Sequence, residues 1–193
     1  MTDSIDLKRP EHSHIWERET HEHYVEPEWC SKRLFEVEHF DGVIMDPACG
    51  FGRIVRSARD AGHNTLALDV VDRGCPGTVV SDFLNAAPVW SVDNIVSNPP
   101  FDIFQQFATQ ALKCATKKVA MIWLVRTLPA ARWLRDTPLA HVLLLTPRPS
   151  MPPGHTITAG EKPGGGKQDF CWLIWDKQHT GPATIGWLHR DNQ

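Results

Sequence analysis

Asn98-Pro99-Pro100-Phe101 places an amide, two residues of fixed φ and an aromatic ring in four consecutive positions. It follows the apolar pair Ile95-Val96 and precedes a helix-like run from Asp102, so it is expected on the turn leaving a buried strand, where α/β folds carry their chemistry. The chemistry these residues suit is transfer of a methyl group to a planar amino nitrogen. The lone pair of such a nitrogen is delocalised into a ring or carbonyl, which makes it a poor nucleophile. Two acceptors correct this: the Asn98 side-chain oxygen and the Pro99 carbonyl can each take one N–H, drawing the lone pair out of conjugation. Pro99 and Pro100 stiffen the turn, and Phe101 offers a flat face for the target ring. Taken alone, the tetrapeptide is also an ordinary loop sequence, so its meaning depends on what lies upstream.

Upstream, Val43-Ile44-Met45 ends at Asp46-Pro47-Ala48-Cys49-Gly50-Phe51-Gly52, and Ile54, Val55, Ala58 and Ala61 follow at helical spacing before Gly62. Strand, glycine turn and helix open a doubly wound nucleotide-binding fold, with Gly50 and Gly52 letting the backbone approach a ligand closely. The third position of a dinucleotide fingerprint is Val55, and no G-K-[ST] follows for a triphosphate. Asp46 would repel a pyrophosphate, whereas it can pair with the cationic amino acid portion of S-adenosylmethionine. Thr65-Leu66-Ala67-Leu68-Asp69 reads as a second strand with an acid at its carboxyl end, which makes Asp69 the expected ribose ligand. Thr78-Val79-Val80-Ser81-Asp82-Phe83 repeats the pattern. Asp82 can accept from an adenine amino group while Phe83 packs on the ring, and Asp82 reads equally well as an exposed loop carboxylate.

The remaining elements position these residues. Pro27 suits a first helical turn, and Trp29, Cys30, Leu34 and Phe35 give that helix an apolar face. After Asp102 and Gln105, a capping-box-like start, the stripe Ile103, Phe104, Phe107, Ala108, Ala111 and Leu112 forms a core-facing helix. The continuous apolar run 119–125 is expected as a central strand buried on both faces, and 141–145 and 170–175 as two later strands. Residues 147–168 are rich in proline and glycine and locally basic through Arg148, Lys162 and Lys167. They read either as a flexible substrate-side loop or as a disordered connector.

At 193 residues the chain suits one well-buried domain, and 41% hydrophobic with 22% charged residues excludes global disorder. No apolar run approaches the ~20 residues of a membrane span and the start is polar, so no membrane partner and a cytoplasmic location are expected. Five scattered cysteines with no C-x-x-C pair read as free thiols. Residues 1–23 read as a flexible polar arm. Its His12, His14, His21 and His23 form two H-x-H pairs, but no cysteine or third clustered ligand accompanies them, and no metal is expected. A net charge of -3 means that any grip on nucleic-acid phosphates must be local.

Taken together, residues 46–52, Asp69, Asp82 and 98–101 resemble the motif series of class I S-adenosylmethionine-dependent amino-methyltransferases, most closely the adenine-specific (N6) DNA methyltransferases. The match covers roughly residues 24–176. The resemblance implies S-adenosyl-L-methionine as cofactor, its methionine part on Asp46, Pro47, Ala48, Cys49, Gly50 and Gly52, its ribose on Asp69, and the target amino group on Asn98 to Phe101. It also implies that the segment from Tyr24 to Pro27 touches the cofactor. The implied fold is a single-domain, Rossmann-like α/β sheet of seven mostly parallel strands with a C-terminal antiparallel hairpin. DNA is the substrate implied most directly, with amino groups of RNA or a protein glutamine as alternatives. No separate target recognition region is legible after Phe101, so a partner subunit or a homodimer is expected to supply recognition. The same gap fits a cofactor-binding subunit without catalysis.

Overall fold

The computed structural model describes residues 23–85, 90–161 and 164–191; of the arm expected over 1–23 all but His23, and Lys162, lie outside the described residues. Helix α1 (Glu28–Val37) leads into β1 (Ile44–Asp46), α2 (Arg53–Asp60), β2 (Thr65–Asp69), β3 (Thr78–Val80) and β4 (Val92–Ser97). A 3₁₀ turn at Phe101–Ile103 then opens α3 (Phe104–Cys114), which runs directly into β5 (Ala115–Leu124). Two more 3₁₀ segments, Val125–Ala130 and Arg132–Asp136, precede β6 (Leu139–Thr146), α4 (Gly154–Thr158), β7 (Phe170–Asp176) and β8 (Thr184–His189).

The strands form one sheet in the order β3-β2-β1-β4-β5-β7-β6-β8. Only β7 runs against the others: it pairs antiparallel with β5 and β6, while β8 returns parallel to β6. The sheet therefore has eight strands, not seven, and the antiparallel β6–β7 pair is followed by a further edge strand. β8 is hard to read from sequence because Gly186 interrupts it and Ile185 and Trp187 are largely exposed, which removes the apolar-in, polar-out alternation.

Side chains alternate across the sheet, and this builds two cores. Val119, Met121 and Trp123 of β5 join Ile95, Leu173 and Trp175 under α3, whereas Ala120, Ile122 and Leu124 join Val96, Trp172 and Ile174 under α1 and α2. Helices on both faces explain why the central strands read as continuous apolar runs. The Trp172 indole N–H reaches the Cys30 carbonyl at 3.0 Å and fastens α1 to β7. All five cysteines are buried. No side chain caps the Phe101–Ile103 turn or α3, so Asp102 and Gln105 do not form the expected capping box. Among the described residues, no helix is long and apolar enough to cross a membrane.

Trp172 is fully buried and Trp187 is 64% exposed. Trp172→Ala is expected to lower the unfolding free energy by about 3–5 kcal/mol, and Trp187→Ala by about 0.5 kcal/mol or less. Urea midpoints check both, and equal midpoints would contradict the docking of α1 on β7.

Candidate active site

The chain runs outward from β1 through β2 to β3, then returns across β1 to β4, so the ends of β1 and β4 flank a topological switch point. Crevices at such points are where open α/β sheets bind ligands. Asp46 is the last residue of β1 and Asn98 is the first after β4. The Ser97 hydroxyl donates to Asp46 Oδ1 at 2.8 Å and joins the two strand ends.

The glycine turn is stitched to β2. The Cys49 N–H donates to the Leu68 carbonyl at 2.9 Å and the Gly50 N–H to Asp69 Oδ2 at 2.8 Å. Gly50 and Gly52 both have positive φ. A Cβ on Gly50 would lie 2.2 Å from His23 Nε2, and one on Gly52 2.5 Å from Cys75 Sγ, so neither position admits a side chain. The Ala48 N–H donates back to Asp46 Oδ1 at 3.2 Å, a local turn that the Asp-Pro sequence favours.

Asn98 is held through its nitrogen. Its Nδ2 donates to the Tyr24 carbonyl at 2.8 Å and to Glu26 Oε2 at 2.9 Å, while its Oδ1 is buried without a partner among the described residues. Glu26 is itself buried, and Arg53 Nη1, at the start of α2, donates to its backbone carbonyl at 2.7 Å. Neither Glu26 nor Ser97 was singled out in the sequence. The available signals were a lone acid inside Tyr-Val-Glu-Pro and a hydroxyl ending an otherwise apolar strand.

A cavity of about 330 Å³ lies between these elements, within the size range of small-molecule sites. Pro47, Ala48 and Asp69, Asp82 and Phe83, and Asn98, Pro99 and Pro100 all line it, together with His23 and Tyr24. Next to it, a narrow cleft of about 10 Å³ reaches Glu26, Asp46 and Cys49 and shares the same two residues. Most of the residues expected to bind cofactor therefore meet around one cavity. Asp46 and Cys49 line only the narrow cleft, and Gly50 and Gly52 line neither and shape the turn.

Phe101 is placed differently from the expectation. It sits at the rim between both cores, stacked on Tyr24 with ring centroids 5.9 Å apart and tilted against Phe170 at 5.7 Å, and it does not line the cavity. Residues 147–168 are more ordered than expected, since α4 lies within them and the Val25 N–H donates to the Pro152 carbonyl at 2.9 Å. Arg148 makes two bonds to Asp169, at 2.6 and 3.0 Å, so its charge is already matched. Lys167 is exposed.

Three acids, Glu26, Asp46 and Asp69, are buried in this region. Burial pushes the Asp46 carboxyl up to about 8, with the Ser97 and Ala48 bonds opposing the rise and the charges of Glu26 and Asp69 adding to it. Burial raises Glu26 as well, against the bond from Asn98. Asp82 is held below its usual value by the Asn85 amide, which donates to its Oδ2 at 2.8 Å. Burial also pushes up the Cys49 thiol. Among the described residues no cluster of metal ligands is present.

No protein-family model and no curated protein matches the sequence. Solved structures match in fold. The M protein of the type I restriction enzyme EcoKI superposes with a TM-score of 0.60 at 13% identity, over 84% of this chain and 48% of that one. A protein of Pyrococcus horikoshii assigned as an RNA methyltransferase gives 0.57 at 16% identity, over 75% of this chain and 79% of that one. The 23S rRNA methyltransferase ErmE gives 0.51 at 18% identity, over 77% and 68%. The chain spans about half the length of the EcoKI protein. These likenesses establish an α/β Rossmann-like methyltransferase fold.

An acid whose pKa is higher folded than unfolded stabilises the chain fully below the unfolded value, here 3.8, and that contribution is lost as pH rises through the folded value, about 8. The cofactor-free chain is therefore expected to lose unfolding free energy between about pH 4 and about pH 8. Asp46→Asn should flatten that loss. Urea denaturation at both ends of the window measures it, and an identical pH slope in the variant would exclude Asp46 as its source.

Proposed function

We propose that this chain is an S-adenosylmethionine-dependent methyltransferase acting on an exocyclic amino nitrogen, with adenine N6 of DNA as the acceptor. The observation that carries the reading is the Asn98 amide, anchored by its nitrogen and presenting a buried oxygen that lacks a donor. Fold likeness to the EcoKI M protein supports a DNA acceptor, and likeness to RNA methyltransferases makes an RNA amino group the alternative. A partner subunit or a second copy supplies target recognition on this reading.

The cavity fits the cofactor in charge and size. S-adenosylmethionine supplies an electrophilic methyl group on a sulfonium, between a cationic amino acid end and an adenosine end. Asp46 and Glu26 favour the cationic end, Asp69 can take ribose hydroxyls with the lone pairs left beside its Gly50 bond, and Asp82 with Phe83 frames the base. The Asn98 oxygen and the Pro99 carbonyl accept the two hydrogens of the target amino group. As its nitrogen becomes tetrahedral those hydrogens grow more positive, so the two acceptors bind the transition state more tightly than the ground state.

Calorimetry is expected to show binding of S-adenosylmethionine and its demethylated product but not of NADH. Asp69→Ala should weaken that binding by roughly 1.5–3 kcal/mol, and an unchanged affinity would remove Asp69 from the site. Asn98→Ala should leave cofactor affinity nearly intact and reduce kcat on the order of 10²-fold or more. Labelled methyl transfer to DNA, RNA and protein pools in parallel reports the acceptor. Turnover of Asn98→Ala within a factor of a few of the parent would sink the mechanism even with cofactor binding established.

A further inference from the structure

The 3₁₀ segments Val125–Ala130 and Arg132–Asp136 follow β5 without a gap longer than Ala131. A 3₁₀ helix takes three residues per turn and rises about 2.0 Å per residue, so positions three apart share a face at intervals of about 6 Å. Val125, Leu128, Ala131 and Leu134 follow that period, and all four pack on the core beneath α3. Trp133 pins the second segment, with its ring 6.2 Å from Trp123, 6.3 Å from Trp175 and 6.4 Å from Phe104. One residue further on in the same period come Arg126, Pro129, Arg132 and Arg135, and all four are exposed. Ala131, at φ -80° and ψ 61°, breaks the period between the two segments, but burial of the apolar residues in both leaves all three arginines facing outward.

Their charges are unmatched. Lys32, Arg33, Arg56, Lys117, Lys118, Arg148 and Arg190 all lie in ion pairs. Arg126, Arg132 and Arg135 make no hydrogen bond or ion pair with any described residue, and the one acid of the segment, Asp136, pairs with none of them. The arginines also lie at the same end of the sheet as the site. β4 and β5 are parallel neighbours with Ser97 opposite Met121, so the chain leaves β5 at the rim where Asn98 stands. Phe104, three residues after Phe101, touches Trp133.

From these observations we infer that Arg126, Arg132 and Arg135 form a rail for the phosphate backbone of the DNA strand that delivers the target base. The inference rests on the amino-methyltransferase reading and deepens it. Guanidinium groups pair with phosphate in a planar, two-bonded geometry, and several of them close together in the chain suit a polymer that carries one phosphate after another. A chain with net charge -3 needs such a concentrated patch to hold nucleic acid at all. An enzyme that draws a base out of its stack also needs the backbone held while the base moves.

The test is fluorescence anisotropy of a labelled, adenine-containing oligodeoxynucleotide, with S-adenosylhomocysteine present, across a salt series. Arg126→Gln/Arg132→Gln/Arg135→Gln is expected to weaken binding about tenfold or more and to reduce the slope of log K against log salt by about 2–3. Its thermal midpoint and cofactor affinity should match the parent. Arg148→Gln/Lys167→Gln, in the neighbouring loop, should change the slope by less. A triple variant that binds DNA with the parent's slope, in a parent that methylates DNA, overturns the rail and leaves the function standing. A parent that binds no DNA and methylates only protein acceptors overturns both. Tighter binding of the matching RNA oligomer, with the same arginine dependence, overturns the choice of DNA.

Discussion

A primary amide has two hydrogens on one side and one oxygen on the other, and both hydrogens of Asn98 are engaged, by the Tyr24 carbonyl at 2.8 Å and Glu26 Oε2 at 2.9 Å. A carbonyl can only accept, so turning the amide over would set oxygen against oxygen. The oxygen is thereby fixed towards the site. This constraint explains several contacts that otherwise look unrelated. Tyr24 and Pro153 form a β-bridge, Arg53 holds the Glu26 backbone, and Ser97 ties the end of β4 to Asp46. Each removes one way in which the acceptor could move relative to the glycine turn. A preorganised acceptor needs no reorientation as charge develops, which is where electrostatic catalysis gains most.

The cost of the arrangement is the collection of acids around it. Glu26, Asp46 and Asp69 are buried, and the cations nearby answer them poorly. Arg53 bonds the carbonyl of Glu26 and not its carboxylate, and Arg73 comes only within 3.9 Å of Asp69. Neutral donors do the rest: Ser97 and Ala48 at Asp46, Gly50 and Val71 at Asp69. Neutral donors satisfy lone pairs but cancel no charge, so burial pushes the Asp46 and Glu26 carboxyls towards their protonated forms. Such a cluster weakens the empty fold and favours any cation that enters, which is the linkage expected of a site for a positively charged ligand.

The parts of this site legible in the sequence are those governed by local rules. Gly50 and Gly52 stand where the backbone needs positive φ, Asp46 and Asp69 end short apolar runs, and the stripe from Phe104 to Ala111 has helical period. The illegible parts depend on partners far along the chain. Glu26 gains its place from Asn98, 72 residues away, and Arg148 loses its free charge to Asp169, 21 residues away. Neither pairing leaves a periodic trace. The three arginines were missed for a different reason: a period of three belongs to neither the helix nor the strand templates, and proline at position 129 reads simply as a break. β8 was missed because an edge strand open on one face need not alternate.

Phe101 shows how tightly the parts are coupled. Its ring lies between Tyr24 and Phe170, and the Tyr24 ring stacks on it, nearly parallel with a tilt of only 12°. Ring pairs with centroids this close leave no room for a third ring between them. Tyr24 is also the residue whose carbonyl anchors the Asn98 amide, and its neighbour Val25 is hydrogen-bonded to Pro152. Both contacts are made by main-chain atoms of the segment, so they are separate from the packing of the Tyr24 ring on Phe101. The segment thus serves two contacts at once: its backbone sets the Asn98 amide, and its aromatic side chain packs on Phe101.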